Sequence, residues 1–286
     1  MQFWVIQTLN SLALGGLLFL LSSGFSLIFG LMRMANLAHG VFFMLGAYLG
    51  VSLLQAGVNF WLAALGGGLL VGLLGGVLER CVLRALAGNE QGQVLVTLGV
   101  SFIVADLCLV VWGGDPIPLS PPAGLRAPLF FMGLAFPTYR LAVLVVAVAA
   151  AALLYVVMER TRIGAMIRAG VDDNEMARVV GIRVSLLFTA VFCLGAALAG
   201  AGGVIGGPML SAYPGLDSDM LPLALVVVIL GGVGSLVGSF VGSFIVGGLY
   251  SFGTALFPDL AYFVLFLPML LVLVLRPRGL FGRSLP

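Results

Sequence analysis

Val184–Gly207, VSLLFTAVFCLGAALAGAGGVIGG, runs for 24 residues without a charged side chain. A helix needs about 20 apolar residues to cross the hydrocarbon core of a bilayer, so this stretch predicts a membrane-crossing helix. Working outward, the charges, prolines and turns divide the chain into nine candidate crossings: 8–30, 36–54, 58–78, 94–113, 140–158, 184–207, 218–233, 236–256 and 261–275. The first lacks a basic n-region and is too apolar for too long to be a signal h-region, so it reads as a membrane helix. The segment 218–233 is short and opens on Asp217, Asp219 and Pro222. A re-entrant or half-helix near 208–233 is therefore the alternative, since such backbone survives at membrane depth where protein buries it or where it lines a cavity. The expected fold is an all-α polytopic bundle of about eight to nine transmembrane helices.

Composition agrees. Of 286 residues, 62% are hydrophobic and 8% charged, against roughly 25% charged in a soluble domain. This excludes a soluble enzyme, a nucleic-acid binder and a disordered chain. All 13 basic residues are arginine. Without lysine there is no G-x-x-x-x-G-K-[ST] loop for phosphates and no Schiff-base lysine. Cys81, Cys108 and Cys193 lack metal-ligand spacing and read as small buried hydrophobes. His39 is the one histidine, so neither a multi-histidine metal site nor a Ser-His-Asp set is expected.

The arginines orient the bundle, because cytoplasmic loops carry the excess. One face receives Arg33, Arg80, Arg84, Arg160, Arg162, Arg168, Arg178, Arg183, Arg276, Arg278 and Arg283, and the other only Arg126 and Arg140. The N-terminus is expected outside and the C-terminus in the cytoplasm. A single membrane domain spans 1–286. It has a cytoplasmic loop at 159–183 and an extracytoplasmic loop at 114–139, the latter proline-rich (DPIPLSPPAGLRAP) and read as extended.

Small residues recur at four-residue spacing: Gly234, Gly238 and Gly242 in GGVGSLVGSFVG, Gly46 and Gly50, and Gly68, Gly72 and Gly76. That spacing lets helix backbones approach closely. Ordinary packing is one reading and a moving or subunit-facing surface the other. Gly-rich segments follow polar breaks at both NLAHG and YPGLDSD, too weakly alike to count as a repeat.

The most charged segment is Met158–Val184, MERTRIGAMIRAGVDDNEMARVVGIRV. Asp172 reads as an N-cap with Glu175 at N3, a capping box, and Val171 with Met176 as a hydrophobic staple. Gly181 stands where the chain would leave the helix, and Arg178 suits the C-terminal end of the dipole. Met176, Val179 and Val180 form one apolar face. So short a helix is unstable alone. It is a plain basic loop, a helix lying on its own domain, or one set in a partner's groove.

Within the membrane, Asn36 can cap the helix that carries His39 in its first turn. His39 is either a satisfied buried side chain or part of a pathway. Glu79 and Arg80 read as interface residues that snorkel. Asp106, mid-span in VTLGVSFIVADLCLVVWGG, is expected to face the interior, where it binds substrate, holds a proton or is tied to hydroxyls.

Three segments carry a resemblance. Gly30–Gly50, GLMRMANLAHGVFFMLGAYLG, resembles the N-[LF]-A-H-G signature of Liv-type permeases, the membrane subunits of branched-chain amino acid ABC importers. Thr161–Val184 is similar to that family's cytoplasmic loop, with Ala165 where the family usually has arginine. Gly231–Gly242 is similar to its late glycine motif. The resemblance implies a non-enzymatic permease of the cell inner membrane. Its partners would be a homologous second permease, two cytoplasmic ATPase subunits that hold the ATP and magnesium, and an extracytoplasmic substrate-binding protein. The chain itself would bind no cofactor, metal or nucleic acid. It further implies that Arg168, Ala169, Asp172, Asp173, Glu175, Met176, Ala177, Val179, Val180 and Gly181 couple to the ATPase. Asn36, Ala38, His39 and Gly40 match the signature and, with Asp106, are candidates for the pathway or gate. The substrate class it implies is branched-chain or related amino acids, with urea-like amides as an alternative. An ATP-independent channel or secondary transporter for a small polar solute is the competing class.

Overall fold

The computed structural model describes residues 2–32, 36–131, 133–276 and 279–282. The chain is a bundle of helices: α1 Gln2–Met32, α2 His39–Gln55, α3 Phe60–Cys81, α4 Glu90–Trp112, α5 Thr138–Arg160, α6 Arg162–Asp172, α7 Asn174–Val179, α8 Val184–Leu210, α9 Leu216–Gly231, α10 Leu236–Leu256 and α11 Ala261–Leu275. Among the described residues, seven helices are long and apolar enough to cross a membrane: α1, α3, α4, α5, α8, α10, and α11 with the turn before it. It is a multi-pass membrane protein. All nine predicted crossings are helical; α2 has 17 residues and α9 16, so among the described residues seven of the nine are candidates for full-length spans.

α1 and α8 form the centre. α8 packs on α1, α2 and α3, and α1 also packs on α10 and α5. Leu17, Leu18, Phe19, Leu21 and Ile28 of α1 are buried, as are Phe192, Ala196 and Val204 of α8. α4, α5 and α11 lie at the rim and stay largely exposed. Glycine sets the central contacts. A Cβ at Gly46 would collide with the backbone of Gly200, and one at Gly24 with that of Gly195. With no lipid-excluding drive between helices, such backbone approach is what holds them together.

The glycine triplet does not lie on one helix. Gly238 and Gly242 sit on α10 against α9, near Gly231 and Val227. Gly234 precedes α10, in the left-handed turn at φ +75, with its Cα against Gly30. Gly68, Gly72 and Gly76 turn toward α8, and Gly46 and Gly50 do the same from α2.

α2 starts inside the bundle. His39 Nε2 lies 2.8 Å from the carbonyl oxygen of Leu21, about 16 Å along α1 from its end at Met32 at 1.5 Å per residue. The first turn of α9 lies against the same place, because a Cβ on Gly40 would meet the Asp217 carbonyl and Leu221. The two short helices that follow NLAHG and YPGLDSD therefore begin side by side in the interior.

The loop at 114–139 is more ordered than its composition predicts. β1 (Pro128–Phe131) and β2 (Leu134–Pro137) form an antiparallel hairpin, with Leu129 opposite Phe136 and Phe130 opposite Ala135. Ile117 exchanges two backbone hydrogen bonds with Ala212, at 2.8 and 2.9 Å. This ties the loop to the chain between α8 and α9. Of the arginines, Arg33, Arg278 and Arg283 lie outside the described residues. Arg80, Arg84, Arg160, Arg162, Arg168, Arg178, Arg183 and Arg276 stand at one end of the bundle or in its loops, and Arg126 and Arg140 at the other, as the alternation of helix direction requires.

Candidate functional site

The charged loop folds into two helices. α6 was not predicted. Thr161 caps it, its hydroxyl accepting from the Gly164 N–H at 3.3 Å. Ile163, Met166 and Ile167 repeat the i, i+3, i+4 signature, with Ile167 buried and Ile163 exposed. That spacing was the signal available for it. Arg168 turns back to the Met158 carbonyl and pairs with Glu159 at 3.4 Å. It therefore serves the junction of α5 and α6, and Ala169 lies within α6 beside it, its carbonyl accepting from the Asp173 N–H at 3.0 Å.

α7 is the predicted capped helix, shifted by one residue. Asp172 is the last residue of α6, so Asp173 is the N-cap, its Oδ1 accepting from the Met176 N–H at 2.9 Å. Glu175 then occupies N2 rather than N3, so the capping box does not form in the predicted register; the Val171 side chain of the expected staple lies outside the described residues. Two consecutive aspartates carry the same capping chemistry, and the length of α6 decides between them. The other end matches the reading. Gly181 has φ +92 and its N–H bonds the Arg178 carbonyl, while the Ile182 N–H bonds that of Ala177, both at 3.0 Å. This pair of bonds is the Schellman closure, and left-handed φ suits glycine.

The result is a rigid stub with one anchored side and one free side. Ala177 is buried, whereas Met176 is 60% exposed, Val179 80% and Val180 79%. Three adjacent apolar side chains thus stand in the open on a helix held at both ends.

At the base of this loop, Glu79 is buried and Arg84 Nη2 reaches it at 3.2 Å. The same nitrogen donates to Thr189 Oγ1 at 2.6 Å and to the Ser185 carbonyl at 3.0 Å. Glu79 is therefore no snorkelling interface residue, and its partner is Arg84 rather than the adjacent Arg80. The 3₁₀ turn Leu83–Leu86 folds Arg84 back over the end of α3.

The interior candidates separate. Asn36, Ala38, His39 and Gly40 come together at the start of α2, all buried. Asn36 does not cap α2 as predicted. Its Oδ1 accepts from the Ala38 N–H at 3.1 Å, closing a turn before the helix. His39 packs edge-on against Phe25 and Phe42 and donates from Nε2 to Leu21. Asp106 lies elsewhere. It is exposed on α4, about 9 Å along the axis from Trp112, and does not face the interior as expected. Gln93, Thr97 and Ser101 are buried at four-residue spacing and mark the inward face of α4; Asp106 falls off that stripe, so the lone charge is not the guide to the inward face. Cys81 also departs from its reading, being exposed, while Cys108 is buried and Cys193 intermediate. Among the described residues, no three of His, Cys, Asp and Glu stand together as a metal site would need.

The family model for the permease component of branched-chain amino acid transport systems matches residues 7–273. The chain belongs to that family. It is 28% identical to the high-affinity branched-chain amino acid transport system permease protein BraD of Pseudomonas aeruginosa, over 97% of this chain and 95% of that protein. It is 25% identical to the corresponding permease protein LivH of Escherichia coli K12 and to that of Salmonella typhimurium, over 98% of this chain and 96% of each. No solved structure matches significantly. The chain is thus an ABC permease subunit for amino acid transport, of a family that works with ATPase and binding-protein subunits.

Proposed function

We propose that this permease carries leucine, isoleucine and valine inward across the cytoplasmic membrane, paired with a homologous second permease. Two ATPases on the arginine-rich side grip α7, and a binding protein delivers cargo at the opposite face. The N-terminus is then outside and the C-terminus in the cytoplasm. The observation that carries the reading is the open apolar face of Met176, Val179 and Val180 on a doubly capped stub. An apolar face of that kind on a short rigid helix suits the groove of a soluble partner. A turn of four residues, 180–183, joins α7 to the start of α8, so a push on it passes to the central helix of the bundle. The substrate reading rests on the similarity to BraD and LivH, permease proteins of high-affinity branched-chain amino acid transport systems. The second permease is supported by Asp106, because an exposed carboxylate at that depth is costly against lipid and is accommodated where another subunit or a water-filled path covers it.

The test is Met176→Asp with Val179→Asp in the reconstituted importer. ATP-driven leucine uptake and retention of the ATPases on the purified permease are expected to fall together. Unchanged uptake and assembly would show that α7 is not the grip.

A further inference from the structure

At the end of the bundle away from α7, the loop strapped down by Ile117 and Ala212 arches over the ends of α2 and α3. It encloses an open cavity of about 400 Å³, within the usual size of small-molecule sites. Val51 and Leu54 of α2 and Ile117 of the loop are among its aliphatic lining, and Gln55, Asn59 and Arg126 among its polar lining. Among the described residues of the lining, Arg126 carries the only charge. Its Nε–H donates to the Pro121 carbonyl at 3.1 Å. That bond fixes the guanidinium plane and leaves the two Nη groups free as a fork. A guanidinium fork matches a carboxylate in two parallel hydrogen bonds.

We infer that this cavity is a receiving site for a free amino acid with an aliphatic side chain. Arg126 takes the carboxylate, the Gln55 amide oxygen accepts from the ammonium, and Val51, Leu54 and Ile117 take the side chain, while Asn59 keeps its Oδ1 on the Trp61 N–H at 3.0 Å as the N-cap of α3. The inference rests on the amino-acid permease reading and adds a site to it. An exposed guanidinium beside water binds weakly, which suits a station that must release its cargo onward. The cavity abuts the buried part of α2, where Tyr48 stacks on Trp112 one turn below Val51. It therefore lies at the head of the short helix whose other end is buried in the bundle.

Two measurements separate the site from the function it serves. In the first, the full chain in lipid nanodiscs, without binding protein, is titrated with radiolabelled L-leucine. Saturable binding in the millimolar range is expected. It should be displaced by 4-methylpentanoate, which keeps the carboxylate, and not by 3-methylbutylamine, which lacks it. Arg126→Gln should weaken binding about tenfold or more, and Arg126→Lys less. Equal binding by wild type and Arg126→Gln, displacement by the amine alone, or no saturable binding would overturn the inference. In the second, the complete importer is assayed for uptake and for ATP hydrolysis stimulated by loaded binding protein. Arg126→Gln should slow uptake while stimulated hydrolysis persists. Loss of the stimulation itself would make Arg126 a docking contact for the binding protein and overturn the site. A wild-type importer that accumulates none of leucine, isoleucine and valine would instead refute the substrate reading, leaving the nanodisc titration to decide on the cavity.

Discussion

Thr189 Oγ1 stands 2.6 Å from Oε2 of Glu79, tying the first turns of α8 to the last turn of α3 just below the α7 stub. Arg84 closes the knot from the other side, so a buried carboxylate holds a hydroxyl and a guanidinium at once. Any force entering α8 from the loop meets this tie first.

Removing Arg84 leaves Glu79 buried without its counter-ion. Breaking a buried pair costs about 3–5 kcal/mol, and Arg84 itself is partly exposed, so Arg84→Ala is expected to cost about 3 kcal/mol. Glu79→Gln keeps a hydrogen-bonding group and should cost about 1–2 kcal/mol. Thermal unfolding of the purified permease in detergent checks the order. Equal stability of both variants and wild type would mean the knot carries no energy.

The caps of α7 can be removed one at a time. Asp173→Ala loses the Met176 N–H acceptor and should destabilise the stub by about 1 kcal/mol. Asp172→Ala should change it little. Gly181→Ala places a side chain at φ +92, at about 1–2 kcal/mol. Hydrogen exchange at the α7 amides reads all three. If Asp172→Ala opens α7 more than Asp173→Ala, the capping register is wrong.

His39 ties the start of α2 to the middle of α1 through Leu21. His39→Ala deletes that bond and leaves a gap, and should cost about 2 kcal/mol. His39→Gln retains a donor and should recover part of it. On this account uptake per folded importer changes little in His39→Gln. A folded, assembled His39→Gln importer with no uptake would move His39 from structure to pathway.

Asp106 decides what covers α4. Asp106→Asn keeps a polar side chain able to hydrogen-bond across the interface and should leave the two-permease complex intact. Asp106→Leu should reduce recovery of that complex about tenfold, the scale of losing a hydrogen bond to a charged group. A stable pair with Asp106→Leu would show that the second permease does not cover this face of α4.

The sequence revealed the crossings because a bilayer demands long apolar runs, and each run from 8–30 to 261–275 meets a helix. It revealed α7 because caps are local chemistry: an aspartate before the helix and Gly181 after it. It did not reveal which aspartate caps, since that depends on where α6 stops. It did not orient Asp106, because the lone charge does not mark the inward face, whereas the four-spaced Gln93, Thr97 and Ser101 are the polar side chains of α4 that the bundle buries. Glu79 and Thr189 are 110 positions apart, and only the packing of α3 on α8 brings them together. The hairpin was hidden because β1 and β2 lack polar alternation, and the cavity because its wall is assembled from two helix ends and a proline-rich loop.

The central claim is that a soluble ATPase grips the open face of α7. A photo-crosslinking residue at Val180, in the importer assembled in membranes, tests it most directly. The account predicts light-dependent capture of the ATPase subunit, abolished when Met176 and Val179 are aspartate. Capture of the permease's own helices, or of the binding protein at the opposite face, would contradict it.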